Sequence, residues 1–113
     1  MSEAKLVERR CIPCEGGGSP LPKAKVEELL KQLDPRWKLR DGGKKIEAVF
    51  EFKNYFRTLA FVNAVAYVAI REDHHPDIAF GYKTATIGYA THAVGGLSEN
   101  DFICAAKVDS LAG

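Results

Sequence analysis

The 113-residue chain lacks the features that most quickly place a sequence in a class. It has no surplus of either charge: sixteen Lys and Arg stand against fifteen Asp and Glu, a net charge of +1. No electrostatic footprint for nucleic acid or an anionic membrane is therefore expected. It has no long apolar run. The longest, Leu59 to Ile70, is interrupted by Asn63 and Tyr67 and is too short to span a bilayer. The opening "MSEAKLVERRCIPCEGGG" is polar and holds no apolar stretch of a secretory signal. There are only three cysteines, an odd count without a disulfide framework, so a reducing cytoplasm is the expected location. Histidine is equally scarce. Of three, His74 and His75 are adjacent in "REDHHPDIAFGY" (Arg71 to Tyr82), and His92 follows seventeen positions after His75.

What is present is an ordinary globular composition, 46% hydrophobic and 27% charged, and a length that fits one domain with a modest core. Residues 1–21 read as a flexible tail carrying Cys11-x-x-Cys14, because "CEGGGSPLP" punctuates rather than continues structure. From residue 22 to 113 the pattern is that of a folded domain. Val26, Leu29, Leu30 and Leu33 recur at helical spacing after Pro22. "DGG" then marks a hairpin turn between Trp37–Arg40 and Lys44–Phe52, with Ile46, Ala48, Phe50 and Phe52 alternating on one face. Asn54 is a helix N-cap for a long segment that is apolar on nearly every side, which suggests burial against a sheet and a further contact such as a second subunit. "KTATIGYAT" is β-rich, and "GGLSENDF" places Ser98 and Asp101 at capping-box spacing before a last helix. The order α-β-β-α-β-β-α predicts an α+β fold, a four-stranded antiparallel sheet with helices packed on one face.

The histidines carry the chemistry, if any is carried. Pro76 disfavours helical geometry at His75, so the pair falls at a helix exit, and His92 follows the last strand. Imidazoles at two element ends suit general acid/base catalysis, since each titrates near neutrality. Three imidazoles also suit a zinc ion with water in its fourth position, although adjacent histidines point in different directions. Surface decoration is the plain alternative. Cys11 and Cys14 form only half of a zinc or redox site, and "GGGSP" lacks the Lys-Ser/Thr of a phosphate loop. Asp101 is most simply a cap residue, and the aromatics Phe80, Tyr82 and Tyr89 are most simply core.

With those residues laid out, the chain resembles the pterin-4a-carbinolamine dehydratases over about residues 22–112. The resemblance rests on Asp73-His74-His75-Pro76, Tyr82, Thr91-His92 and "GLSENDF", with Trp37 and "FEFKNYFRTLAFVNAVA" in matching places. The CxxC tail is similar to that of bacterial-type members. The resemblance implies dehydration of a 4a-hydroxytetrahydropterin to the quinonoid dihydropterin and water, linked to an aromatic amino-acid hydroxylase and recycling a tetrahydrobiopterin-type cofactor. It implies catalytic His74, His75 and His92, with His74 and His92 as the proton-transfer pair. Asp73, Pro76, Ala90, Thr91 and Ala93 would bind the substrate, the last three through backbone groups. It implies no metal, no cofactor of the enzyme's own, and a homodimer or homotetramer; the charge balance and short apolar runs add the expectation of no nucleic acid or membrane partner. The alternative the resemblance carries is a non-catalytic dimerisation, coactivator or regulatory module of the same fold. One position departs: four residues before the first histidine the family commonly has an acid, and here stands Ile70. Glu72 is about 200° away around the helix and is not an obvious replacement.

Overall fold

The computed structural model describes residues 5–12 and 18–112. Its helices and strands follow the expected order: α1 (Lys23–Leu30), β1 (Lys38–Arg40), β2 (Lys45–Glu51), α2 (Tyr55–Glu72), β3 (Asp77–Phe80), β4 (Thr84–Tyr89) and α3 (Glu99–Ala112). The four strands form one antiparallel sheet in the order β1-β2-β4-β3.

The period of two in β2 and β4 decides which face is covered. Ile46, Ala48 and Phe50 lie opposite Tyr89, Ile87 and Ala85, and all six are buried. Two of these pairs set a large side chain against alanine, which lets the layer above pack evenly. That layer is helical: Phe61, Val62 and Val65 of α2, Val26 and Leu29 of α1, and Phe102, Ile103, Ala105 and Val108 of α3 close the core. The other face is open, with Val49 exposed. There Gly88 lies between Glu47 and Asp77 in the register. A Cβ at Gly88 would stand 2.4 Å from Lys45 Cε. Glycine thus clears the path by which Lys45 Nζ crosses β4 to Asp77, 3.2 Å away.

Local signals set the element ends. The hairpin turns through Asp41, Gly42 and Gly43, all at positive φ. Asn54 caps α2 as expected, its Oδ1 accepting the Arg57 N–H at 2.9 Å. At the far end Asp73 stops the helix in the left-handed region, φ 52° and ψ 44°, with its N–H returned to the Ala69 carbonyl. That reversal carries His74 off the helix axis.

Helix α2 is less buried in the single chain than its composition suggests. Its inner face is covered, but Phe56, Tyr67 and Ile70 remain exposed, with Ala60 and Asn63 exposed between them. These positions form one heptad-spaced stripe. Of the segment that composition assigns to a tail, residues 5–12 lie along α3. Leu6 is buried in the core cluster, and Lys107 Nζ donates to the Val7 carbonyl at 2.8 Å. Cys14 lies outside the described residues. Among the described residues no helix is long and apolar enough to cross a membrane.

Candidate active site

The exit of α2, the end of β4, the start of α3 and the N-terminal segment meet around one open cavity of about 460 Å³. Asp73, His74 and His75 come from the exit of α2, and Ala90, Thr91, His92 and Ala93 from the chain beyond β4. Of the eight catalytic and substrate-binding residues that the resemblance implies, only Pro76 is not part of the lining.

His74 is the most constrained of the three imidazoles. Its Nε2 lies 2.6 Å from Asp101 Oδ1, and its ring stacks on Tyr89 with 5.8 Å between centroids and 8° between planes. Asp101 is fully buried and its other oxygen is also used. Oδ2 accepts the Thr91 hydroxyl at 2.8 Å and the Ser98 N–H at 2.9 Å. The capping reading of Asp101 therefore holds, but it describes one oxygen of two. With Nε2 engaged by the Asp101 carboxyl, Nδ1 is the ring atom left for proton exchange.

Thr91 serves the same support. Its hydroxyl also meets Ser98 Oγ at 2.7 Å, and its N–H and carbonyl pair with Gly96. This pairing closes a short loop from Thr91 to Gly96, with Gly95 at φ 72°, and the loop holds His92 out in solvent. His75 is likewise exposed.

Behind His74 the wall is sulfur and phenol. Cys104, buried on α3, and Cys11 place their Sγ atoms 3.4 Å apart, both as free thiols. The hydrogen bond with Cys11, and then burial, push the Cys104 thiol far above its ordinary value. Burial also pushes the Tyr89 phenol up, and its hydroxyl has no partner among the described residues. Both groups are held protonated at neutral pH.

Glu72 also lines the cavity, unlike Ile70, which is 77% exposed on the outer face of α2. Burial raises the Glu72 carboxyl, but the Cys11 N–H, Arg10 and Lys107 outweigh it and leave the group below its usual range. Among the described residues no three His, Cys, Asp or Glu side chains converge as a metal site would need. Sequence reasoning missed the bond from Asp101 to His74, and it missed Glu72, Asn100, Cys11 and Ile12 in the lining. Asp101 was legible as a cap three positions after Ser98 and, by resemblance, as part of "GLSENDF", and neither signal sets it against His74.

Comparison with known proteins agrees with this arrangement. The sequence pattern of the family described as pterin 4 alpha carbinolamine dehydratase matches residues 19–111. A protein of Nitrosomonas eutropha, provisionally named pterin-4-alpha-carbinolamine dehydratase, is 59% identical over 106 residues, 94% of this chain and 92% of that one. One of Dechloromonas aromatica with the same provisional name is 46% identical over 97% of this chain and 96% of its own. Two solved structures are also similar. The transcriptional coactivator/pterin dehydratase from Brucella melitensis has a TM-score of 0.79 at 32% identity, covering 84% of this chain and all of that one. A pterin dehydratase-like protein identified as a RuBisCO assembly factor in the alpha-carboxysome has a TM-score of 0.60 at 31% identity, covering 68% and 89%. Fold, cavity and sequence together place the chain in the pterin-4-alpha-carbinolamine dehydratase family.

Proposed function

We propose that the chain dehydrates a 4a-hydroxytetrahydropterin, releasing water and the quinonoid dihydropterin, by histidine acid/base catalysis. The observation that carries this reading is the His74–Asp101 pair, set in a cavity that His75 and His92 also line. The reaction breaks the C4a–O bond. A proton must reach the departing hydroxyl while the proton on N5 is removed, and the N5 electrons form the new C=N bond. Asp101 holds His74 through Nε2, which leaves Nδ1 of that ring to take the N5 proton. His92, open to solvent, suits delivery of the other proton to the hydroxyl. His75 and Asp73 hold the substrate at the exit of α2, and Ala90 and Ala93 form part of the facing wall. The chain needs no cofactor in this scheme, works in the cytoplasm, and consumes the product of an aromatic amino-acid hydroxylase. The exposed stripe Phe56-Ala60-Asn63-Tyr67-Ile70 supports assembly of the chain into a homodimer or homotetramer.

The test generates the carbinolamine with a hydroxylase and follows its dehydration by absorbance. Wild type is expected to accelerate the loss of water and His74→Ala to abolish most of the effect. Activity that survives in both His74→Ala and His92→Ala would rule out the acid/base assignment. A second reading, a non-catalytic interaction module, draws on the same apolar stripe and on the assembly factor of similar fold. It predicts no acceleration by wild type, and oligomers that Phe56→Glu dissociates in light scattering.

A further inference from the structure

Two buried polar side chains beside the cavity take no part in holding His74. Glu72 and Asn100 are both nearly inaccessible to solvent, and both are spent on the N-terminal segment. Glu72 Oε1 accepts the Cys11 N–H at 2.8 Å, and its Oε2 pairs with Arg10 Nε at 2.9 Å. Asn100 grips the next residue at both main-chain groups, its Oδ1 accepting the Ile12 N–H at 3.0 Å and its Nδ2 donating to the Ile12 carbonyl at 2.6 Å. Further along, Arg9 pairs with Glu99 at 2.9 Å. Buried carboxylates and amides are costly unless fully bonded, so their commitment to main-chain atoms fixes that backbone firmly.

What the fixed backbone presents is Ile12, 69% exposed and part of the cavity lining. A β-branched side chain has few rotamers, so a pinned main chain also pins the position of its methyl groups. We infer that residues 11–12 are a built wall of the substrate pocket. Ile12 contacts one face of the flat pterin ring system, and Glu72 and Asn100 are the positioning residues behind it. This rests on the dehydratase reading and extends it: the pocket is completed by a segment outside the sheet-and-helix core. Contact with a preformed apolar surface strengthens substrate and transition state alike, so it acts on KM rather than on kcat.

The test uses the full-length chain with Ile12→Ala, Ile12→Leu and Glu72→Gln. Ile12→Ala is expected to raise KM about 3- to 10-fold with kcat within about twofold, because it removes uniform binding. The dissociation constant of an oxidised fluorescent pterin, read by quenching, should rise by the same factor, and Ile12→Leu should restore most of both. Glu72→Gln should raise KM too and speed native-state trypsin cleavage at Arg9 and Arg10, which reports release of the segment. Unchanged KM and probe affinity in Ile12→Ala, with wild type active, would overturn the wall while leaving the dehydratase reading intact. Wild type that neither dehydrates the carbinolamine nor binds the probe would remove both.

Discussion

His74 and His92 line the same cavity and are held in opposite ways. His74 is bonded to a fully buried carboxylate, stacked on a buried tyrosine and carried by a left-handed turn at the end of an eighteen-residue helix. His92 sits in solvent on a six-residue loop closed by Thr91 and Gly96. The contrast teaches a division of labour. Under the proposed reaction, a ring whose orientation the fold fixes is suited to one defined proton transfer, whereas a solvated ring can be recharged from water. The largest expected effect follows on the fixed side: His74→Ala should lower kcat by about 10²- to 10⁴-fold. Equal losses in His74→Ala and His92→Ala, measured with the same carbinolamine assay, would break the comparison.

Asp101→Asn is the next largest, because it separates orientation from the presence of the ring. An amide offers one acceptor oxygen to donors from His74, Thr91 and Ser98, so at least one bond is lost or reversed. A stability loss of about 1–3 kcal/mol in urea unfolding is expected from the unsatisfied buried group. Activity should fall with it at a pH where the protein remains folded. His92→Ala comes third. It should lower kcat by about 10-fold or more, the loss of one positioned proton donor. Its unfolding midpoint should be unchanged, because His92 is exposed, and added imidazole should restore part of the rate.

The two histidine environments also differ in how far the sequence discloses them. The hairpin was legible because "DGG" supplies consecutive positive-φ positions, and α2 because Asn54 precedes a long apolar segment. Both are local effects, fixed by residues within a few positions of each other. The order of elements and the helix-exit position of His74 and His75 are local too. The bond from His74 to Asp101 spans twenty-seven positions and depends on how α3 packs against α2, which no periodicity reports. Strand β3 is short, lies at the sheet edge and leaves Phe80 exposed, so its alternation is too weak to place its ends. The N-terminal segment was obscured by its own composition. Three glycines and two prolines signal a break, yet Leu6 and the main chain of Cys11 and Ile12 find partners on α2 and α3.

A smaller effect ties the docking of the N-terminal segment to pH through Glu72. Burial raises Glu72, but its bonds to the Cys11 N–H, Arg10 and Lys107 win and leave it lowered. A carboxyl lowered by folding stabilises the docked segment above the unfolded glutamate range, about 4.3, and that contribution is lost as pH falls through the lower folded value. The amide signal of Cys11 should therefore move on acidification in wild type and show no such step in Glu72→Gln. A Cys11 signal that is flat with pH in wild type would separate Glu72 from the docking of the segment.

The smallest effect concerns Ile70, where the resemblance implies an acid. By sequence alone this substitution looks like a loss inside the site. In the fold, Ile70 is 77% exposed on the outer stripe of α2 and does not line the cavity, whereas Glu72 does. An acid restored at position 70 would stand in water on the outer face, among Phe56, Tyr67 and their neighbours. Ile70→Glu should therefore change kcat and KM by less than about twofold, and shift unfolding by no more than about 0.5 kcal/mol, as for surface substitutions generally. Its measurable consequence should be in light scattering, where a charge on the apolar stripe weakens any assembly formed there. A tenfold gain in kcat would show instead that position 70 reaches the substrate, through rotation of the α2 exit or across an interface between copies. The boundary between catalytic and assembly faces would then run through α2 one turn earlier than Glu72 and His74 now place it.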